Sequence, residues 1–246
     1  MADKLITISE AAKIIGVSMD TLRRWDKKGV FRSKRHGTGG YRYYDRQEAE
    51  LFINDVAALA KDWAYGDVPF LPRPADFYSR TASDFQARLA KMESELSKVP
   101  RMKDESSLIV SIVGEMGNNS FDHNLGSWPD IMGVFFGYDM NKGIIALADR
   151  GQGILKTLKR VRPELESDEQ SLKVAFTEII SGRAPESRGN GLKYVRKVMA
   201  EYIKEDSVSL LFQSGEAALT LRGGEKGLNI EKSDIRCRGC LAIINF

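Results

Sequence analysis

Histidine, cysteine and long apolar runs are all scarce in this chain, and each shortage removes a class of function. The 246 residues include two histidines, His36 and His123, and two cysteines, Cys237 and Cys240. The thiols form one C-x-x-C with no second pair of ligands beside it, which argues against a structural zinc site. The apolar LAIINF that follows makes them the flank of a strand. No apolar run approaches the ~20 residues that span a bilayer, and MADKLITISEAAK lacks the apolar core of a signal peptide. These absences predict a cytoplasmic protein with no membrane partner. Proline is sparse too. Three of the seven fall in residues 66–80, GDVPFLPRPADFYSR, an aperiodic stretch that reads as a linker.

The residues that remain suit a globular fold: 42% are hydrophobic and 29% charged, enough apolar surface for a sizeable core. The net charge of +3 is unevenly spread. Residues 1–60 hold 11 Lys and Arg against 8 Asp and Glu, so the other 186 are neutral with 26 of each. Between Thr21 and Arg46, nine basic side chains face only Asp26 and Asp45. A concentrated one-sign patch is a footprint for a polyanion, and its confinement to one end predicts two modules.

The first module reads helix, turn, helix, wing. Thr7 or Ser9 can cap a helix that buries Ala11, Ala12, Ile14 and Ile15 and stops at Gly16. Ser18 or Asp20 caps a second helix, DTLRRWDKKG. Two short strands then flank Gly37–Gly40, and a further helix from about Asp45 buries Ala49, Phe52, Ile53 and Val56. The run ISEAAKIIGVSMDTLRRWDKKGV with GGYRYYD resembles the winged helix-turn-helix of the MerR and excisionase families. The resemblance implies a double-stranded DNA partner. It places Thr21, Arg23, Arg24 and Lys27 in a major groove and Arg35, His36, Arg42, Tyr41 and Tyr43 along the adjacent backbone. Leu22 and Trp25 read as core, and the pairing usual for such modules implies a homodimer.

After the linker, a helix over Thr81–Val99 carries Phe85, Leu89, Met92 and Leu96 on one stripe, which suits packing on the next module or dimerisation. From Ser106 onward, strands and helices intermix: a helix through SLIVSIVGEMGNNSFDHN, strands at Ile131–Tyr138 and Ile144–Ala148, a helix over Leu192–Ile203, and strands at Val208–Gln213, Ala217–Arg222 and Leu241–Phe246. This pattern predicts an α+β fold, with the small winged helix-turn-helix domain followed by a two-layer sandwich of helices on one face of a mixed sheet. The boundaries are residues 1–62 for the first domain, 63–105 for linker and amphipathic helix, and 106–246 for the second domain.

Three features of this second domain carry chemistry. Glu115, Asn119 and His123 share a helix face at four-residue spacing, where an amide oxygen suits a magnesium ion that keeps most of its waters. Asp149-x-Gly151-x-Gly153 follows an apolar strand, where a carboxylate can accept from an adenine amino group. Gly189-x-Gly191 opens a helix whose free N–H groups suit phosphates. Together E-x-x-x-N-x-x-x-H, DRGQGI and RGNGLKYV resemble the N, G1 and G2 boxes of the GHKL superfamily, whose nucleotide domain is the Bergerat fold. The resemblance implies ATP and Mg2+ as cofactors. Asn119 would ligate the metal and Glu115 activate water. Asp149, Gly151 and Gly153 would hold adenine, and Gly189, Gly191 and Leu192 the phosphates, with Arg188 and Lys193 in reach as cations. Asn118 competes for the metal role, and the stretch from Ile154 to Arg188 corresponds to a lid over the nucleotide.

No phosphoacceptor histidine precedes the ATP-like segment, which disfavours a sensor histidine kinase. Three readings stay open. The leading one is a nucleotide-regulated DNA-binding protein, with an ATP switch or weak magnesium-dependent ATPase. The others are a serine/threonine kinase resembling the anti-sigma-factor kinases and acting on a protein partner, and a non-enzymatic module with structural ATP.

Overall fold

A computed structural model describes residues 5–28, 31–36, 40–53, 55–66, 77–179 and 191–246, without the side chains of Lys28, His36, Gln47, Leu51 and Ile53. The glycine-rich wing tip at 37–39, most of the linker, Arg188 and Gly189 lie outside the described residues. The molecule combines helices and sheets in an α+β arrangement, with a helical N-terminal part and a larger sheet-based C-terminal part.

In the N-terminal part, β1 (Leu5–Thr7) runs into α1 (Ile8–Ile15), and α2 (Met19–Lys28) follows. Thr7 closes a capping box with Glu10, whose carboxylate accepts from the Thr7 backbone N–H at 2.8 Å. Gly16, at φ 75°, ends α1 and donates to the Ala12 carbonyl at 2.9 Å. Strands β2 (Lys34–His36) and β3 (Tyr41–Asp45) complete a three-stranded antiparallel sheet in the order β1-β3-β2. Ile6, Ala11, Ile15, Leu22, Trp25, Phe31, Tyr44 and Ala49 fill the core beneath. The helix expected from Asp45 is two helices, α3 (Arg46–Ile53) and α4 (Val56–Tyr65), because the Asp55 side chain accepts from the Ala58 N–H and starts a new N-terminus.

The C-terminal part is built on a five-stranded sheet in the order β4-β5-β6-β8-β7: β4 (Tyr78–Ser79), β5 (Val134–Asp139), β6 (Ile144–Asp149), β8 (Asn229–Asn245) and β7 (Ser209–Arg222). The expected mixed sheet is corrected here, since every ladder among the described residues is antiparallel. The cause is local connection. β5 turns into β6 through residues 140–143 and β7 into β8 through 223–228, and short turns join only antiparallel neighbours.

On one face of the sheet lie α5 (Ala82–Leu96), α6 (Ser106–Asn124), α8 (Asp168–Thr177) and α9 (Gly191–Lys197), which continues as one π-helical turn over Val198–Tyr202. The α5 stripe of Phe85, Leu89, Met92 and Leu96 is spent inside this core. The expectation of helices on one face alone also fails. Helix α4 covers the opposite face through Val56, Leu59, Ala60, Trp63 and Ala64, packed on Phe135, Ala146, Ala148, Leu241 and Ile243. Side chains alternate across a strand, so Ile145 and Leu147 face one helix layer while Ala146 and Ala148 face the other. Uniformly apolar strands are the signature of a sheet buried on both sides.

Close approach of α5 to α6 is set by Gly117, where a Cβ would run into the Phe85 ring. Gly117→Ala should therefore destabilise the chain by about 1–3 kcal/mol in urea unfolding, although alanine is the better helix former. An unchanged midpoint would show that the ring relaxes freely.

Candidate functional site

Helix α2 presents Arg23 and Lys27 to solvent, with Thr21 and Arg24 half-buried on its flank, while Leu22 and Trp25 point into the core. Ser18 caps it, its hydroxyl accepting from the Thr21 N–H at 3.1 Å and lying 2.9 Å from the Thr21 hydroxyl. Arg23 pairs with Asp20 at 2.5 Å.

Asp26, which sequence reasoning passed over, organises the wing. Its carboxylate accepts from the Ser33 N–H at 2.8 Å, from Arg42 Nε at 2.7 Å and from Arg35 Nη2 at 3.1 Å. Burial pushes this carboxyl up, but the Ser33 N–H and Arg42 outweigh it and hold it at about 2. The two wing arginines expected on DNA phosphates are thus tied to the recognition helix, and Arg35 also donates to the Gly40 carbonyl. They link the wing to the helix while Arg35 itself stays exposed beside Arg23 and Lys27; Arg42 and Arg24 are half-buried. Tyr43 is half-buried on β3, opposite Lys34 and Thr7.

The second site surrounds the end of β6. Asp149 is 2% exposed. Its Oδ2 accepts from the Ser120 hydroxyl at 2.7 Å and its Oδ1 from the Gly151 N–H at 2.8 Å, with the Cys240 N–H as a further donor. Three elements are drawn to one carboxylate. Burial raises its pKa to about 6 despite these donors. The turn that follows is pinned beside it, for Gln152 N–H donates to Asn124 Oδ1 at 2.8 Å and Ile154 N–H to the Ser214 hydroxyl at 2.9 Å. Gly153 takes φ 73°, a backbone state that side chains other than glycine rarely adopt.

Across the sheet, β8 bulges. Cys240 and Cys237 pair with the successive residues Ser214 and Gly215, so Arg238 and Gly239 are extra. A Cβ on Gly239 would strike Asp149, so glycine is required where the bulge passes the carboxylate. Burial pushes both thiols well above the usual range, which favours the protonated, weakly nucleophilic form.

Asp149 opens into a cavity of about 40 Å³ lined by Met116, Asn119, Ser120, His123, Asn124, Gly153, Ile154, Leu192 and Cys240, among others. The structure therefore brings together Asn119, Asp149, Gly153 and Leu192, drawn from segments up to 73 residues apart. Gly191 stands against the same wall, where a Cβ would lie 2.5 Å from Asn119 Nδ2 and 3.1 Å from Glu115 Oε2. Asn118 turns away, its Oδ1 accepting from Gln86 Nε2 at 2.7 Å. Lys193 lines a separate groove of about 530 Å³ with Phe176, Tyr194 and Arg196. Among the described residues, no three His, Cys, Asp or Glu side chains converge as a metal cage. Ser120, Asn124, Ser214 and Gly239 went unnoticed in the sequence. The first two sit one and five residues beyond Asn119 on the same helix, a signal that could have found them.

The raised value of Asp149 has a thermodynamic sign. Between about pH 4 and pH 6 the folded chain holds a proton that the unfolded chain has released, so this group's contribution is fully present below pH 4 and is lost as pH rises through 6. The stability of Asp149→Asn relative to wild type should therefore rise by about 2 kcal/mol from pH 4 to pH 7. Urea unfolding of both proteins across that range measures it, and a difference that stays flat contradicts it.

Comparison with known proteins gives one family match and two relatives. Residues 6–52 match the MerR HTH family regulatory protein family. The chain is 40% identical over 63 residues to Type II methyltransferase M.Eco47II of Escherichia coli, a match that takes in 26% of this chain and 15% of that protein. It is also 26% identical over 125 residues to an uncharacterized HTH-type transcriptional regulator, slr0701, of Synechocystis, covering 48% of this chain and 90% of the relative. No described helix is long and apolar enough to cross a membrane. Helix, turn, helix and wing, with the family match over the same residues, identify the N-terminal part of this chain as a MerR/HTH-type winged-helix DNA-binding domain.

Proposed function

We propose that this chain is a DNA-binding regulator whose C-terminal part holds magnesium–ATP in a pocket of Bergerat, or GHKL, type and uses it as a switch or slow ATPase. One observation supports this reading above the others. Asn119, Asp149 and the Gly191–Leu192 helix start, distant in sequence, line or border one cavity, with Glu115 at its edge.

The residues fit the ligand in kind. Asp149 is an anchored carboxylate at the cavity wall, suited to accept from an exocyclic amino group. Asn119 offers one neutral oxygen, and a magnesium ion needs little more from protein when phosphates and water supply the other ligands. Gly191 leaves open the space beside Asn119 and Glu115 that a side chain would fill. The cavity of about 40 Å³ is smaller than a purine, so binding requires Met116, Ile154 and Leu192 to part. When bound, the nucleotide supplies a phosphoanhydride, and its metal a charge that stabilises the leaving phosphate. Glu115, at the edge of this space, would hold a water's proton at its carboxylate. The DNA-binding domain gives the output, since occupancy that differs between two conformations shifts their balance and hence DNA affinity.

Calorimetric titration with magnesium–ATP tests the pocket. Wild type should bind. Asn119→Ala should lose about tenfold or more in affinity together with most of the magnesium dependence, and Asp149→Asn should lose adenine selectivity. Equal affinities in all three proteins, or no binding to wild type, would remove the reading.

A further inference from the structure

Arg150 follows Asp149 directly, yet its side chain leaves the pocket and ends on the opposite face of the sheet. The residue is 1% exposed. Its Nη1 donates to the Trp63 carbonyl at 2.6 Å, its Nε and Nη2 lie 3.0 and 2.9 Å from Asp130, and the guanidinium carbon stands 5.5 Å from the Trp63 ring centroid. A buried guanidinium is costly unless its partners are fixed. Here one partner is the Trp63 carbonyl in the last turn of α4, at the negative end of the helix dipole, which favours a cation.

Helix α4 in turn reaches the DNA-binding domain. Phe52, at the end of α3, packs against both the α4 core and the core of the winged helix. Its ring lies 5.2 Å from Trp25 and 4.8 Å from Phe31, centroid to centroid. Trp25 belongs to the recognition helix α2. An unbroken line of packed groups therefore runs from Asp149 through Arg150, Trp63 and α4 to Phe52 and Trp25.

We infer that Arg150 is the positioning residue that couples the Asp149 pocket to the recognition helix, through the α4 terminus and Phe52. The inference rests on the nucleotide reading above and names the route by which that site would regulate DNA binding. Backbone ties on both sides of Arg150 give it a mechanism. Asp149 is registered with Val134 in the sheet, while Gly151 and Gln152 are bonded to Asp149 and Asn124, so the turn moves as a unit. A ligand drawing on Asp149 or Asn124 shifts that unit, and Arg150 carries the shift to the Trp63 carbonyl. Close packing makes such a displacement switch discrete arrangements and keeps it from fading with distance. Arg150 touches neither the ligand cavity nor the DNA face, so its loss should spare each binding event and remove their connection.

The experiment is a linkage measurement on the full chain. DNA affinity is read by fluorescence anisotropy with and without saturating magnesium–ATP, and ATP affinity by calorimetry, for wild type, Arg150→Met and Phe52→Leu. In wild type, magnesium–ATP should change the DNA dissociation constant by about 5-fold or more. Arg150→Met should keep both separate affinities within about 2-fold of wild type and shrink the ATP effect to less than about 2-fold. Phe52→Leu, at the far end of the line and mild enough to fold if the arginine variant does not, should shrink it in the same way, and Arg150→Lys should restore part of it. Full coupling in Arg150→Met overturns the inference, as does full coupling in Phe52→Leu where the arginine variant does not fold, or wild type that binds ATP without any change in DNA affinity. Wild type that binds no ATP overturns the nucleotide reading instead.

Discussion

The arrangement of the C-terminal part depends on a carboxylate with almost no access to water. Asp149 ends a strand buried on both faces, and an unsolvated charge there is tolerated only if donors are brought to it. Helix α6 supplies Ser120, the following turn supplies the Gly151 N–H, and β8 supplies the Cys240 N–H at its bulge. Satisfying one side chain thus fixes a helix, a turn and a strand relative to one another. It also fixes Asn119, one residue before Ser120, and leaves Gly153 and Gly239 no freedom to be anything larger. The residues that give the cavity its chemistry are held by the same bonds that make the buried charge bearable.

A second constraint acts on the DNA-binding domain, with the opposite electrostatic sense. There a carboxylate is surrounded by cations: Asp26 collects Arg35, Arg42 and the Ser33 N–H, and so locks the wing to the recognition helix. Between the two centres runs α4, fastened to the sheet by Trp63 and to the winged helix by way of Phe52. The two parts share apolar contacts through a short helix. This geometry lets events at one end bear on the other.

Much of this was legible in the sequence, and the gaps have physical causes. A cap at Thr7 or Ser9, the stop at Gly16 and the cores at Leu22 and Trp25 depend on local chemistry and could be read directly; the structure selects Thr7. So could the four-residue spacing that puts Glu115 and Asn119 on one helix face. The two-faced burial of the sheet was missed although IIALA and LAIINF carry no polar alternation; such runs require cover on both sides, and α4 supplies it from a segment grouped with the first domain. Strand direction was misjudged although the short gaps at 140–143 and 223–228 require antiparallel neighbours; the central pairing of β6 with β8 depends on a long return that spacing does not encode. That Arg35 and Arg42 also pair with Asp26 was not legible, because sequence shows charge and not its partner. Arg150 was passed over between two conspicuous neighbours, since nothing in DRGQGI says that its side chain leaves on the other face.

A nucleotide switch in this chain requires that the segments around Asn119, Asp149 and Gly191 form a single ligand site. Backbone amide spectra recorded while magnesium–ATP is titrated into the intact chain test it most directly. The amides of Gly151, Gly153, Gly191 and Leu192 should shift together along one saturation curve. Amides that stay still, or shifts confined to the groove around Lys193 and Arg196, would contradict it.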